Sequence, residues 1–299
     1  MDAVRFITQE SIDKTRWNDC VAASSNGSVY AYSFWLDAMT TAWDGLVWGD
    51  YVAVMPLPHR RKWGLQYLYQ PPLTAQLGLI GDSIDAKLFN AFLKAIPSQF
   101  RYIDMPLNRD NVFAEPLYPI YTRTNYILPL HEPYAKLRKG YRENIRRNCK
   151  KAEAAGCRVE QNIPLEAILS LTQPHLYASS DLQLFAKLYP GLKQKGVAQS
   201  FGIYSPEGSL ISGVVFVYSH QRAYYLIAGN SPEGRSIGAS HLLIDSVIRL
   251  YAGTDLILDF EGSDVSSLAH YYSGFGAVIE LYSAIRINKL PRPLRWLKD

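Results

Sequence analysis

The sequence predicts a mixed α/β protein built as two domains of one plan. Three observations predict it. The chain has 299 residues, 48% hydrophobic and 19% charged, which suits two ordinary cores. Apolar runs of period two alternate with stretches whose apolar residues recur every three or four. The order of these segments repeats: strand, two helices, three antiparallel strands, helix, strand, short link, strand. The repeat lies in element order, not in residue identity.

In the first half, "VRFIT" alternates as a short strand, and helical spacing follows over 11–23 and 30–41. In "WDGLVWGDYVAVMPLP" the pair Gly49-Asp50 separates two apolar runs, a hairpin signal, and "LQYLYQ" adds a third strand. Residues 86–96 read as a helix, "FRYIDMPL" and "RTNYILPL" as strands. The segment "PLHEP" reads as the link, which places the domains at 1–132 and 133–299. A helix over 136–155 opens the second half. It is followed by the strand "CRVEQ" and helices over 165–171 and 182–195. The strands "AQSFGIYS", "LISGVVFVYS" and "RAYYLIAGN" come next, separated by "SPEGS" and by His220-Gln221. A helix over 238–251, the strand "DLILDF", a short helix over 266–272 and the strand "AVIELYSAIRI" complete it.

Composition narrows the function. The chain has 31 Lys and Arg against 27 Asp and Glu, a net charge of +4. That permits an anionic ligand without demanding nucleic acid. Three cysteines, Cys20, Cys149 and Cys157, have no metal-ligand spacing, so a reducing compartment and no metal are expected. The N-terminal residues carry no signal-peptide pattern, and no stretch approaches the roughly 20 apolar residues that span a bilayer. The expectation is a cytoplasmic protein without an integral membrane segment. The sequence does not set its oligomeric state.

Against this near-neutral background, "YRENIRRNCKKAEAAG" concentrates positive charge. Leu137, Tyr141, Ile145, Cys149 and Ala152 form one apolar helical stripe. Arg138, Arg142, Arg146 and Lys150 wind around the same helix, and Lys139, Arg147 and Lys151 fill the remaining arc. From Arg138 to Lys151, Glu143 is the one acidic interruption. Like charges four apart cost a helix roughly 0.2–0.5 kcal/mol per pair. Two readings stand: a solvated basic back, or a site where Arg142 and Arg146 hold the phosphate or carboxylate of a small anionic substrate. Arg60, Arg61 and Lys62 in "PHRRKWG" pose the same choice between phosphate contact and a hairpin tip in water. His131, His175, His220 and His241 show no metal spacing. The tail "NKLPRPLRWLKD" either docks on the body or touches an anionic membrane face.

Asp259 and Glu261 stand two apart on a predicted strand, so they share one face. Such a pair can supply a general base for an amine. Alternatively, Gly262 starts a turn and the carboxylates bond backbone N–H groups or the basic helix.

"YRENIRRNCKKAEAAGCRVE" resembles the entry to the second domain of the Fem family. These are peptidoglycan bridge aminoacyltransferases and their relatives in the GNAT (Gcn5-related acetyltransferase) superfamily. "SHLLIDSVIRLYAGTDLILDFEGSDVSSLAHYYSGFGA" resembles the Fem-like run of helix, Asp-Phe-Glu-Gly-Ser and Phe-Lys-x-Gly-Phe-Gly. The first half shares element order and "YLYQPPLTAQLGL". The resemblance implies two tandem GNAT-like domains sharing a cleft, with the tail from about 288 packed on the first. It implies a transferase moving an acyl or aminoacyl group to an amine of a nucleotide-linked or cell-envelope substrate. The alternative is a non-catalytic ligand-binding protein on a degenerate form of the fold. GNAT enzymes hold the pyrophosphate of acyl-CoA on a Gln/Arg-x-x-Gly-x-Gly/Ala loop. Here Arg235, Gly238 and Ala239 match and Ser240 departs. Fem enzymes use aminoacyl-tRNA instead. GNAT enzymes often protonate the departing thiolate with a Tyr just before Gly-Phe, which points to Tyr271 and Tyr272. Tyr272 stands where the Fem pattern has a Lys.

Overall fold

The computed structural model describes residues 3–113, 116–172, 178–262, 265–291 and 295. The first elements are β1 (Arg5–Ile7), α1 (Lys14–Ala23), α2 (Ser33–Met39), β2 (Trp43–Trp48), β3 (Ala53–Lys62), β4 (Leu65–Leu68), β5 (Ile80–Gly81), α3 (Ala86–Ala95), β6 (Phe100–Pro106) and β7 (Ile120–Pro129). Then come α4 (Tyr134–Lys139), α5 (Glu143–Ala154), β8 (Arg158–Gln161), α6 (Leu165–Leu169), α7 (Ser179–Gln194), β9 (Ala198–Tyr204), β10 (Leu210–Ser219) and β11 (Arg222–Asn230). The chain continues through α8 (Pro232–Ile237), α9 (Ala239–Tyr251), β12 (Ile257–Asp259), α10 (Ser266–Ser273) and β13 (Val278–Asn288). Among the described residues no helix is long and apolar enough to cross a membrane.

The chain divides into two compact units, Met1–Arg123 with Leu281–Asp299, and Thr124–Glu280. The division falls after Arg123, inside β7, rather than in the Pro-flanked link at 129–133. Most of the tail after 291 lies outside the described residues, and so does His175.

In the first unit, β1, β2, β3 and β4 pair antiparallel in order, β4 pairs parallel with β6, and β6 pairs antiparallel with Ala284–Asn288 of β13. Trp17, Trp35 and Trp43 are fully buried. Each indole N–H finds an acceptor: the Ala31 carbonyl at 2.8 Å, Thr74 Oγ1 at 3.0 Å and Asp37 Oδ1 at 3.0 Å. That is what a buried indole requires. Asp13 and Asp85 start α1 and α3 by accepting hydrogen bonds from amides of the first turn.

In the second unit, β8, β9, β10 and β11 pair antiparallel in order, β11 pairs parallel with β12, and β12 pairs antiparallel with β7. The parallel pair sits at the same step of the element order as β4 and β6. The repeated plan read from the sequence is therefore the plan of the fold.

Two local expectations need correction. The helix over 136–155 is two helices, α4 and α5, with Gly140, Tyr141 and Arg142 between them. Arg142 is extended (ψ 154°), and its amide donates to the Gly274 carbonyl at 2.8 Å instead of to the preceding turn. A side chain on Gly274 would lie 2.8 Å from Ile145 Cδ1, so the Gly-Phe-Gly turn is glycine-bearing because α5 lies against it. The apolar stripe survives the break: Leu137, Tyr141, Ile145, Cys149 and Ala152 are all buried. Second, the strand before Glu261 ends at Asp259. Glu261 takes φ 60°, so the two carboxylates do not share a strand face.

Candidate functional site

The candidate catalytic residues, the residues of the acyl-CoA loop, Arg142 and Arg146 lie in the second unit. The carboxylates and tyrosines fall into three places.

The first is a closed ion network at β12. Asp259 Oδ2 accepts from Arg222 Nη1 at 2.7 Å. Its Oδ1 accepts from Asn125 Nδ2 at 3.0 Å and from the Glu261 amide at 2.8 Å. Glu280 takes the other guanidinium nitrogen, Nη2, at 2.5 Å and also the Asn125 amide group at 3.2 Å. The Arg222 and Asp259 side chains are 5% and 4% exposed. Burial alone would lower the guanidinium pKa, but the bonds to Glu280 and Asp259 outweigh it and raise it. With both oxygens taken, Asp259 fixes the end of the strand rather than meeting a substrate. Arg222, Glu280 and Asn125 were not singled out from the sequence. The available signal was an Arg opening an otherwise apolar strand, since a buried cation needs a carboxylate.

The second place begins one residue beyond β12. Glu261 Oε1 is closed off from solvent and has no hydrogen-bond partner among the described residues. Burial holds the carboxyl well above its ordinary pKa of 4.5. Its left-handed φ of 60° is uncommon for a residue other than glycine, and Gly262 follows at 85°. The Glu261 amide, bonded to Asp259, holds this turn. Pairing of β11 with β12 covers only Arg222, Ala223 and Tyr224. Just past that point the register of β11 with β10 jumps from Tyr225 to Ile227, a β-bulge at Leu226. Glu261 thus stands at the carboxyl end of one of two parallel strands whose pairing has just stopped, the usual place for a ligand in an α/β sheet.

The third place is the start of α9. Tyr271 lies edge-on to His241, with ring centroids 5.0 Å apart, and edge-on to Phe275 at 5.3 Å. Burial pushes its phenol above the ordinary range, against a smaller opposing pull from Ser240. Burial likewise lowers His241 to about 4, opposed by the Gly238 backbone, so the ring is neutral. Its Nε2 lies 3.3 Å from Asn148 Nδ2. None of the bonds or ring contacts of the described residues joins Glu261 to Tyr271. Tyr272 is a core residue, 6% exposed and stacked on Phe260 at 4.5 Å.

The expected pyrophosphate loop is part of a helix-to-helix junction. Arg235 and Ser236 belong to α8, which Ser231 caps through the Gly234 amide. Arg235 Nη1 donates to the Asn230 carbonyl at 2.7 Å, and Lys151 Nζ donates to the Ser236 carbonyl at 2.7 Å. Gly238, at φ 82°, joins α8 to α9, and a side chain there would meet Asn148 Cβ at 2.8 Å and its carbonyl oxygen at 3.0 Å. The glycine is required because α5 packs on the side where its Cβ would point. Among the described residues no three His, Cys, Asp or Glu side chains are grouped to hold a metal ion.

The two arginines of the basic helix differ. Arg142 is exposed, and its Nη1 lies 2.8 Å from His270 Nδ1 and 3.3 Å from the His270 carbonyl oxygen. Arg146 Nε pairs with Glu143 at 3.1 Å.

No protein-family profile matches the sequence, and no curated protein does. Solved structures do. FemX is similar over 98% of this chain and 99% of its own, with 16% identity and a TM-score of 0.67. L-PGS from Bacillus licheniformis covers 95% of both chains at 10% identity and a TM-score of 0.57. A tandem GNAT protein from the clavulanic acid biosynthesis pathway covers 96% of this chain and 99% of its own, at 13% identity and a TM-score of 0.51. At these identities the likeness concerns architecture: the chain has the Fem-like tandem GNAT fold.

Proposed function

We propose that this protein is a transferase that moves an acyl or aminoacyl group to an amine, with Glu261 as the general base. The observation that carries the reading is the Glu261 carboxyl of a half-buried residue: its Oε1 is closed off from solvent without a hydrogen-bond partner among the described residues, its pKa is raised, and a left-handed turn holds it. A carboxyl in that state gains from accepting a proton, as an attacking ammonium or amine requires. Tyr271, kept protonated by burial, is the group suited to donate a proton to a departing atom.

Arg142 is the better of the two proposed contacts for an anionic acceptor, nucleotide-linked or of the cell envelope. Its guanidinium is exposed and has no carboxylate partner among the described residues, whereas Arg146 already faces Glu143. The aminoacyl reading is preferred over acyl-CoA for the donor, because Ser240 departs from the acyl-CoA loop pattern and Arg235 is held by the Asn230 carbonyl. The same observation, together with Tyr272 in the core, supports a second reading: a ligand-binding protein without turnover on this fold. Cytoplasmic work on a soluble form of the acceptor fits the first reading.

The test is transfer of labelled aminoacyl or acyl groups to amine acceptors at neutral pH, with the native protein and Glu261→Gln. A loss of about 10²–10⁴ in rate is expected, with the native rate rising with pH as Glu261 ionises. Turnover unchanged in the variant would remove Glu261 from the reaction. Acceptor binding without turnover from any donor would favour the binding protein.

A further inference from the structure

The hairpin between β3 and β4 carries an exposed tip that the transferase reading does not use. Arg60, Arg61, Lys62, Trp63 and Gly64 are all exposed there, Trp63 at 74%. Trp63 and Gly64 are the two turn residues, at φ 51° and 78°, the pattern of a type I′ turn. Such turns favour Asn-Gly, and a bulky residue in the left-handed region is an outlier. The indole is not repaid by burial. Among the described residues its one ring contact is Lys62 Nζ, 4.8 Å from the centroid. Folding therefore gives no reason for a Trp at this position.

The cations are equally unexplained by folding. No Asp or Glu stands between Asp50 and Asp82 in the sequence. Among the described residues Arg60, Arg61 and Lys62 have no carboxylate partner, and Arg60 lies over the Tyr69 ring at 4.3 Å. A convex tip with one protruding indole and three uncompensated cations matches the headgroup region of an anionic bilayer. There the amphipathic ring sits between water and acyl chains while the basic side chains meet lipid phosphates. A single-stranded nucleic acid would instead call for a basic groove with successive stacking platforms.

We propose that the β3–β4 tip is a docking element for an anionic lipid surface, with Trp63 inserted and Arg60, Arg61 and Lys62 around it. The association is weak and salt-sensitive, since each cation near such a surface adds about fivefold to partition.

The test is co-sedimentation of the whole protein with phosphatidylglycerol vesicles and with phosphatidylcholine vesicles. The native protein should pellet with the first, less so as salt rises, and not with the second. Replacing Arg61 and Lys62 together by Gln should weaken binding about 25-fold, and Trp63→Asn about tenfold. Asn tolerates the left-handed turn, so Trp63→Asn should melt no lower than the native protein, which separates lost docking from lost folding. Equal sedimentation with both vesicles, sedimentation with neither, or native binding by both variants would overturn the proposal. So would tip-dependent binding of a single-stranded oligonucleotide without vesicle binding, which would assign the tip to nucleic acid.

Discussion

Asp259 and Glu261 are two residues apart and chemically alike, yet the fold treats them in opposite ways. Asp259 ends a strand and is saturated by Arg222, Asn125 and a backbone amide. Glu261 begins a left-handed turn and has an oxygen with neither solvent nor a partner among the described residues. The first arrangement stabilises, because a buried carboxylate is tolerable when its lone pairs are filled. The second costs stability, and perturbed groups of that kind cluster at functional sites, which is why Glu261 is proposed as the base. The two are linked: the Glu261 amide is one of the donors that saturate Asp259, so the saturated carboxylate holds the turn that carries the other.

The largest expected effect falls on the Asp259 side. Arg222→Ala leaves Asp259 and Glu280 close together without their cation. Removing one partner of a buried ion pair costs about 3–5 kcal/mol. Urea unfolding should show this loss, and a loss within error of zero would mean that water enters the network freely. A smaller effect is expected at Gly238. Alanine there combines a left-handed backbone with a 2.8 Å approach to Asn148 Cβ. Overpacking of that kind costs about 1–3 kcal/mol, with roughly 1 kcal/mol more for the backbone. If Gly238→Ala instead melts like the native protein, α5 yields at this point.

Much of the architecture was legible because it rests on periodicity. The alternation of "LISGVVFVYS" and "RAYYLIAGN" gave β10 and β11, and the stripe from Leu137 to Ala152 gave the buried face of the basic segment. The break at Gly140 was not legible. It depends on the Gly274 carbonyl, more than a hundred residues away, capturing the Arg142 amide. The site was legible by residue type but not by environment. "DFEG" marks two carboxylates, and only the end of β12 decides which is filled. The Arg-x-x-Gly spacing is present, but its Arg lies in α8 and donates to the Asn230 carbonyl, a partner the spacing does not show. His241 drew no attention as a lone histidine, yet burial makes it the neutral ring beside Tyr271.

The central claim is the state of Glu261, and its own titration tests it most directly. Carbon-13 NMR of labelled glutamate carboxyls, with Glu261→Gln to assign the resonance, reads that pKa without knowledge of the substrate. The sign of the linked stability follows. A carboxyl raised in the folded state keeps its proton while the unfolded chain loses one, so native stability falls as pH rises from the ordinary value of 4.5 toward the folded pKa. Glu261→Gln should therefore stabilise the protein more at neutral pH than in acid. The account predicts a Glu261 resonance that titrates well above 4.5, with that pH-dependent gain in the variant. A resonance titrating in the ordinary glutamate range, with native and variant stabilities parallel across pH, would contradict it.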